Sequence, residues 1–320
     1  MLYKKEKLDV IVPVNNEELC LDEFFRRLML LREKMGYLEM DFIFVNDGSS
    51  DRSIEKLYGY AGEYDFVKVI DLSRNFGHQM AVTAGLDYAN ADYAVIIDAD
   101  LQDPPELIED MYKKAKEGFE VVYGKRLDRK GENFFKKSTA KTFYRLVKMI
   151  CDTEIPADAG DFRLINRDVL KVLKGMRERH RFIRGMVPWS GFRSAPLFYH
   201  RNKRFAGRTK YPLGKMIKFA LDAIFSFSNA PLRIAIYFGI GVAALGILGG
   251  LLILYLRFFT PLHVPGISAV ILTVIILGGF QIIFLGVIGE YIGRIFEESK
   301  NRPLYIVKDI RNLPIVKDGT

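Results

Sequence analysis

Two stretches of 23 residues carry no charged side chain: Ile234–Leu256 and Ile267–Gly289. Each exceeds the roughly 20 residues that a helix needs to cross the hydrocarbon of a bilayer. A single run of this kind also suits a buried core helix. Two in tandem predict a membrane hairpin, because a helix satisfies its own backbone polar groups in lipid. The connector Arg257–Pro265 holds only Arg257 and His263 as basic residues. Lys215, Lys218 and Arg233 precede the first run, and Arg294, Lys300 and Arg302 follow the second. The positive-inside rule therefore places both termini in the cytoplasm. Gly239, Gly241, Gly246, Gly249 and Gly250 in the first run, and Gly278, Gly279, Gly286 and Gly289 in the second, predict close packing of the spans. With the strand-like Leu304–Val307 of the tail, which predicts addition to a sheet edge, in its own chain or in a neighbouring subunit, they also make a homo-oligomer the expectation.

Elsewhere the chain is basic. Lys and Arg number 47 against 39 Asp and Glu, a net charge of +8. That surplus points to anionic partners. Nucleic acid is not expected, since it leaves the hairpin unexplained. Residues 134–150 interleave Lys136, Lys137, Lys141, Arg145 and Lys148 with aromatic and aliphatic residues, the pattern of a helix lying on a membrane surface. A second amphipathic segment, 213–231, leads into the hairpin. Cys20 and Cys151 offer neither a disulfide framework nor metal-site spacing. The charged Met1–Lys7 runs directly into a strand and shows no cleavable signal peptide.

The first two hundred residues alternate short apolar runs with amphipathic segments. Strands are expected at Leu8–Val14 (ended by Pro13), Asp41–Val45, Phe66–Asp71, Tyr93–Ile97 and Glu120–Gly124, and helices at 19–35, 79–89 and 106–118. Ser49 or Ser50 is expected to cap another helix. This alternation predicts a three-layer α/β fold with a mostly parallel sheet. Its strands end in polar residues: Val14-Asn15, Asn46-Asp47 and Asp98-Ala99-Asp100. Such ends converge on the crevice where open α/β sheets bind ligands. Two carboxylates there suit Mg²⁺ or Mn²⁺, hard cations often shared with a substrate's phosphates. The plainer alternative makes Asp98 and Asp100 turn residues, Asp47 an Asx turn at Gly48 and His78 a ligand of a loop carbonyl. Trp189 reads equally as an interfacial anchor or a substrate contact.

Five ordered motifs sharpen this. Val-Pro-Val-Asn-Asn-Glu-Glu, Val-Asn-Asp-Gly-Ser-Ser-Asp, Arg-Asn-Phe-Gly-His-Gln, Asp-Ala-Asp-Leu-Gln-Asp-Pro-Pro and Asp-Ala-Gly-Asp-Phe-Arg-Leu occur in that order. The chain resembles the family 2 glycosyltransferases of GT-A fold, and within them the polyprenyl-phosphate enzymes of the bactoprenol glucosyltransferase type, relatives of dolichol-phosphate mannose synthase. The resemblance runs from about Leu8 to Lys308. It implies a GT-A catalytic domain over 1–212, a hairpin over 232–290 and a cytoplasmic tail over 291–320, in a bacterial inner membrane. It implies metal ligation by Asp98, Asp100 and Gln102. Pro13, Asn15, Glu17, Asp47 and Asp98 match the nucleotide-sugar pocket, although position 15 is more often Tyr in the family. Asp161 matches the proposed catalytic base, with Asp158 close by. Arg126, Arg163 and Arg204 would face the acceptor phosphate, and residues 207–211 match a loop near both substrates. The implied reaction is inverting transfer of glucose from UDP-glucose to undecaprenyl phosphate. UDP-N-acetylglucosamine, GDP-mannose and an aminoarabinose donor are alternatives, as is a non-catalytic lipid-binding scaffold. A lipid phosphate is largely ionised near neutrality and hardly needs a base, so Asp161 is expected to orient arginines or sugar hydroxyls as much as to take a proton.

Overall fold

A computed structural model describes residues 5–127, 159–201, 230–259 and 266–314. The basic segment 134–150, Cys151, Asp158, Arg204 and the 207–211 loop lie outside the described residues. So do residues 213–229 of the expected juxtamembrane helix; its last two, Ala230 and Pro231, open the first long apolar helix.

The alternation seen in sequence builds three layers. β1 (Lys7–Val14) directs Leu8, Val10, Val12 and Val14 to one face of the sheet and Ile11 to the other. On the first face lie α1 (Leu21–Lys34), α2 (Ser53–Glu63) and α4 (Leu107–Lys116), packed against Phe42 and Phe44 of β2 (Glu39–Asn46) and Val67 and Val69 of β3 (Val67–Leu72). On the second lie α3 (His78–Tyr88), α5 (Arg167–Gly175) and α6 (Ile183–Trp189). α3 rests directly on the strands: a Cβ at Gly85 would collide with Ile11.

The sheet runs β7-β5-β6-β4-β1-β2-β3-β8, adding β4 (Tyr93–Ile96), β5 (Val121–Arg126), β6 (Ala159–Asn166), β7 (Ser194–Tyr199) and β8 (Val307–Arg311). The mostly parallel sheet is as expected, with β6 and β8 antiparallel to their neighbours. Two local expectations differ. Pro13 does not end β1, which continues to Val14. β4 pairs with β1 only as far as Ile11↔Ile96, so the N–H missing from Pro13 falls where that neighbour has left. Neither Ser49 nor Ser50 caps α2. Asp51 Oδ1 accepts the Ser53 N–H at 3.0 Å, while Ser49 Oγ accepts the Asn16 N–H at 3.0 Å.

The two apolar runs form α7 (Ala230–Phe259) and α8 (Ile267–Ser299). Both are long and apolar enough to cross a membrane, and neither is buried against the rest of the chain. The buried-core alternative is thereby removed. The helices meet through Phe238, whose ring lies 4.5 Å from Phe280 and 5.5 Å from Phe284. Their glycines do not mediate that contact: added Cβ atoms at Gly239, Gly246, Gly279 or Gly286 meet nothing within 4 Å. The bulky Phe238 sets the spacing instead.

After the hairpin the chain returns to the sheet. β8 begins at Val307, three residues later than the strand-like Leu304, and pairs with β3 of its own chain. Tyr305 lies before the strand, and its hydroxyl donates to Asp87 Oδ2 at 2.8 Å. Asn312 closes the strand, donating to the carbonyls of Ala61, Tyr64 and Val67.

One buried acid tests this core. Asp9 on β1 is 4% exposed and accepts the Asn90 N–H at 2.7 Å. Burial raises its carboxyl to about 6, against the pull of that N–H and of Lys68. A raised carboxyl favours folding below its ordinary value of 3.8, and the benefit is lost as pH rises through about 6. Asp9→Asn is expected to raise stability at pH 8 by up to about 3 kcal/mol and to have little effect near pH 4; thermal unfolding across that range checks it.

Candidate active site

The crevice opens where the central strands part. Ile97 N–H still donates to the Ile11 carbonyl at 3.1 Å, but β1 and β2 continue together to Val14↔Asn46 while β4 has ended. This is the switch point of the sheet, and the chain leaves β4 there through Asp98, Ala99 and Asp100. Leu101 takes a positive φ of 59°, reversing the chain, and Asp100 Oδ1 accepts the Gln102 N–H at 3.1 Å.

Register brings the third carboxylate to the same place. β6 runs antiparallel to β4 with Ile96 opposite Arg163, so extending the ladder by two residues puts Asp161 beside Asp98. Arg184, at the start of α6, grips Asp161 with both arms of its fork, Nε to Oδ1 at 2.8 Å and Nη2 to Oδ2 at 2.7 Å. His78, the first residue of α3, lies between the acids. Its Nε2 is 3.1 Å from Asp161 Oδ2 and 3.8 Å from Asp98 Oδ1.

The electrostatics follow from that linkage. Burial alone would raise the Asp161 carboxyl, but Arg184 and His78 outweigh it and hold the group well below the carboxylate range. Asp161 is thus an anion at neutral pH and a poor proton acceptor in this arrangement. Asp98 is pushed up to about 6 by burial and by the carboxylates of Asp161, Asp100 and Asp103, with only His78 opposing. Burial would lower His78, yet Asp98 and Asp161 carry it up to about 9. The side chains of His78 and Asp98 keep 33% and 34% of their surface open to the crevice, so solvent moderates both shifts and a ligand can reach them.

On the nucleotide side, Asp47 holds backbone with both oxygens, accepting from Phe76 N–H at 2.7 Å and Gly77 N–H at 3.0 Å. Asn15 Nδ2 donates to the Asp47 carbonyl at 2.7 Å, and Glu17 N–H donates to Ser53 Oγ at 3.0 Å. Pro13 lies opposite Val45 at the crevice end of the sheet. Gly48 adopts φ 59°, and a Cβ there would stand 2.5 Å from backbone atoms of Arg74 and Asn75. The 46–51 turn and the 74–77 loop therefore form one wall.

The arginines separate. Arg126 Nε donates to Tyr199 Oη at 3.3 Å, and Nη2 lies 3.8 Å from Asp103, which also bonds the Tyr199 hydroxyl. The guanidinium lies against Gly160, where a Cβ would meet it at 2.9 Å. Arg163 is 3% exposed; it donates to the carbonyls of Gly160 at 2.9 Å and Ile183 at 3.4 Å, and burial lowers it to about 10. It ties the Asp161 strand to α6, while Arg184 occupies the crevice beside Asp161. Sequence reasoning assigned no role to His78, Arg184 or Asp103. Arg184 is singled out only by its bidentate contact with Asp161, which the β4–β6 register brings to the crevice.

Two pairs of substitutions separate support from chemistry. Arg163→Ala removes the buried donor that bridges the Gly160 and Ile183 carbonyls and is expected to cost about 1–3 kcal/mol in thermal or denaturant unfolding. Arg184→Ala should lower activity as well as stability, since it strips the buried Asp161 carboxylate of its bidentate partner, whereas Arg163→Ala should act mainly on stability. Gly48→Ala meets backbone and is expected to cost on the order of 1–3 kcal/mol through strain, whereas Gly59→Ala, with open space at its Cβ, should be neutral or slightly stabilising.

Comparison with known proteins follows this geometry. Residues 9–174, which hold β1 to β6 and the crevice, match the model for Glycosyl transferase family 2. An uncharacterized glycosyltransferase of Bacillus subtilis (strain 168), YkcC, is 50% identical over 301 residues, covering 93% of this chain and 92% of its own. A prophage bactoprenol glucosyl transferase homolog of Escherichia coli (strain K12) is 38% identical over 95% of this chain and 99% of its own. The bactoprenol glucosyl transferase of Shigella phage SfV is 39% identical over 95% and 98%. The chain belongs to glycosyl transferase family 2 and is a glycosyltransferase.

Proposed function

We propose that the chain transfers glucose from UDP-glucose to a polyprenyl phosphate, undecaprenyl phosphate in a bacterial inner membrane, with crevice and termini on the cytoplasmic side. The observation that carries this reading is one of placement. A crevice lined by Asp98, Asp100 and Asp161, with Arg184 and Arg126 nearby, belongs to a body joined to two unburied apolar helices. The relatives named bactoprenol glucosyl transferase align over 95% of the chain, the helices included.

The proposed chemistry is one displacement. A phosphate oxygen of the lipid attacks the anomeric carbon, the bond to the diphosphate breaks, and the electron pair leaves on UDP, inverting the centre. Phosphate monoesters have a second pKa of about 6 and are largely ionised at neutral pH, so no base is required. Asp161, itself held as an anion, positions Arg184 towards the incoming phosphate; a fork suits that anion bidentately. Arg126, with Arg204 outside the described residues, is proposed to complete that anion site, and Arg163 to brace its floor. Asp98, Asp100 and Gln102 form an oxygen donor set for Mg²⁺ or Mn²⁺. A cation held there would take its remaining ligands from the nucleotide's phosphates. The repulsion that lifts Asp98 is what a cation relieves. Bound there, the metal would supply charge stabilisation to the leaving diphosphate. The Pro13–Glu17 and Asp47 wall is proposed to take the nucleoside.

Purified full-length protein incubated with radiolabelled UDP-glucose, undecaprenyl phosphate and Mg²⁺ or Mn²⁺ should yield a lipid-linked glucose. Chelation should abolish it. Asp100→Ala should cost on the order of a hundredfold or more. Asp161→Asn should reduce turnover and raise the apparent KM for the lipid, because it releases Arg184. Product formed from UDP-N-acetylglucosamine, GDP-mannose or an aminoarabinose donor but not from UDP-glucose would overturn the donor assignment.

A further inference from the structure

A second cavity lies away from the carboxylates, where the end of α8 meets the catalytic body. Its volume is about 340 Å³. Three separate parts of the chain line it: the loop after β3, the segment between α5 and α6, and the turn that leaves α8. Arg74, Arg179, Lys300 and Arg302 contribute its cations, Glu297 its single acid and His180 an imidazole. None of Asp47, Asp98, Asp100 or Asp161 reaches it.

The cations are unusually short of partners. Glu297 sits 2.9 Å from His180, and Glu298 accepts the Arg179 backbone N–H at 2.7 Å. Among the described residues no carboxylate lies within ion-pair distance of the side chains of Arg74, Arg179, Lys300 or Arg302. Arg74 and Lys300 rest on aromatic rings, 4.0 Å from the centroid of Phe76 and 4.1 Å from that of Phe296, and Arg179 donates to the Arg302 carbonyl. Lys300 and Arg302 lie at a helix C-terminus, whose dipole favours cations. Arg74 is placed by the 74–77 loop that Asp47 holds and donates to the Asn75 carbonyl at 3.0 Å, and Arg179 is placed by Glu298 and the Arg302 carbonyl. Four cations around one cavity face a single carboxylate, Glu297, which His180 already contacts, so the cavity is left with a positive surplus that an anion would neutralise.

The remaining lining selects the kind of anion. Phe76, Met80, Pro303 and Leu304 give the cavity an apolar side, which suits an amphiphile rather than a bare ion. Its level suits the same ligand. Ile292, Ile295 and Phe296 are about 60% exposed, so the apolar outer surface of α8 extends to within roughly one turn of Lys300. From Ile267 to Phe296 the helix rises about 44 Å at 1.5 Å per residue. That matches the roughly 40–45 Å of a bilayer with its headgroups.

We propose that this cavity binds the phosphate of an anionic phospholipid headgroup, held by Arg74, Arg179, Lys300 and Arg302, at the seam between hairpin and catalytic body. The site is separate from the acceptor site and does not depend on the transfer reaction.

The test uses full-length protein in nanodiscs of phosphatidylcholine containing a photo-crosslinkable phosphatidylglycerol. Crosslinks should map to peptides bearing 74–80, 179–180 and 297–304. Lys300→Gln with Arg302→Gln should reduce that labelling about fivefold per cation removed, the scale set by one basic residue at an anionic surface. Arg74→Gln, on a different element, should also reduce it, so the result does not depend on the tail variant folding. Lys308→Gln, on β8 and 3.5 Å from Asp71, should leave it unchanged. Excess phosphatidylglycerol should displace the probe, and millimolar inorganic phosphate should not. Undiminished labelling in both cation variants overturns the site. Equal displacement by inorganic phosphate overturns the lipid assignment in favour of a soluble anion.

Discussion

The site depends on the pairing of Asp161 with Arg184. A carboxylate 6% exposed costs several kcal/mol to desolvate unless a cation and hydrogen bonds repay it. The bidentate fork of Arg184 does so, with His78 on the second oxygen. That pairing fixes more than a charge. It locks the start of α6 to β6, and through His78 it ties β6 to the start of α3. Three elements are thus oriented around the end of β4. The same pairing leaves Asp98 as the acid whose proton is easily held, since its neighbours are carboxylates and its one cation is shared. Environment therefore gives two acids of one crevice opposite tendencies, and the more protonated one belongs to the pair suited to a metal.

Much of the fold was legible because its signals are local. The continuous apolar run Val10–Val14, the helical spacing of Phe24, Phe25, Leu28 and Leu31, and the two charge-free runs each act within one element. The candidate site was legible where residues lie just beyond strand ends, as Asp47, Asp98 and Asp100 do. Residues whose role depends on register were not. Arg184 and Arg163 look alike in sequence, but antiparallel pairing of β6 with β4 buries one on backbone carbonyls and leaves the other at the crevice. His78 reads as a loop residue until Gly77, with φ 99°, turns the chain so that α3 begins there. Small residues misled for a related reason. The glycines of the spans permit close packing, but permission is not contact, and Phe238 decides the distance.

The tail carries the least local information and the most structural consequence. β8 enters the sheet only after the chain has left the catalytic body, run along both apolar helices and returned. Arg177 holds Asp87 at 2.8 Å, Tyr305 bonds the same carboxylate, and Arg179 reaches the backbone beyond α8. Asp87 lies at the end of α3, whose first residue is His78. One helix of eleven residues thus begins in the crevice and ends at Asp87, which Arg177 and, in the segment after α8, Tyr305 both bond. A domain boundary drawn at the end of the catalytic residues would cut a sheet whose last strand lies beyond the hairpin. In this molecule the hairpin is inserted between β7 and β8, so the sheet is completed only by a strand that lies beyond it. The end of α8 is therefore tied to the catalytic body by a hydrogen-bonded sheet edge and by the contacts of Arg177, Arg179 and Tyr305.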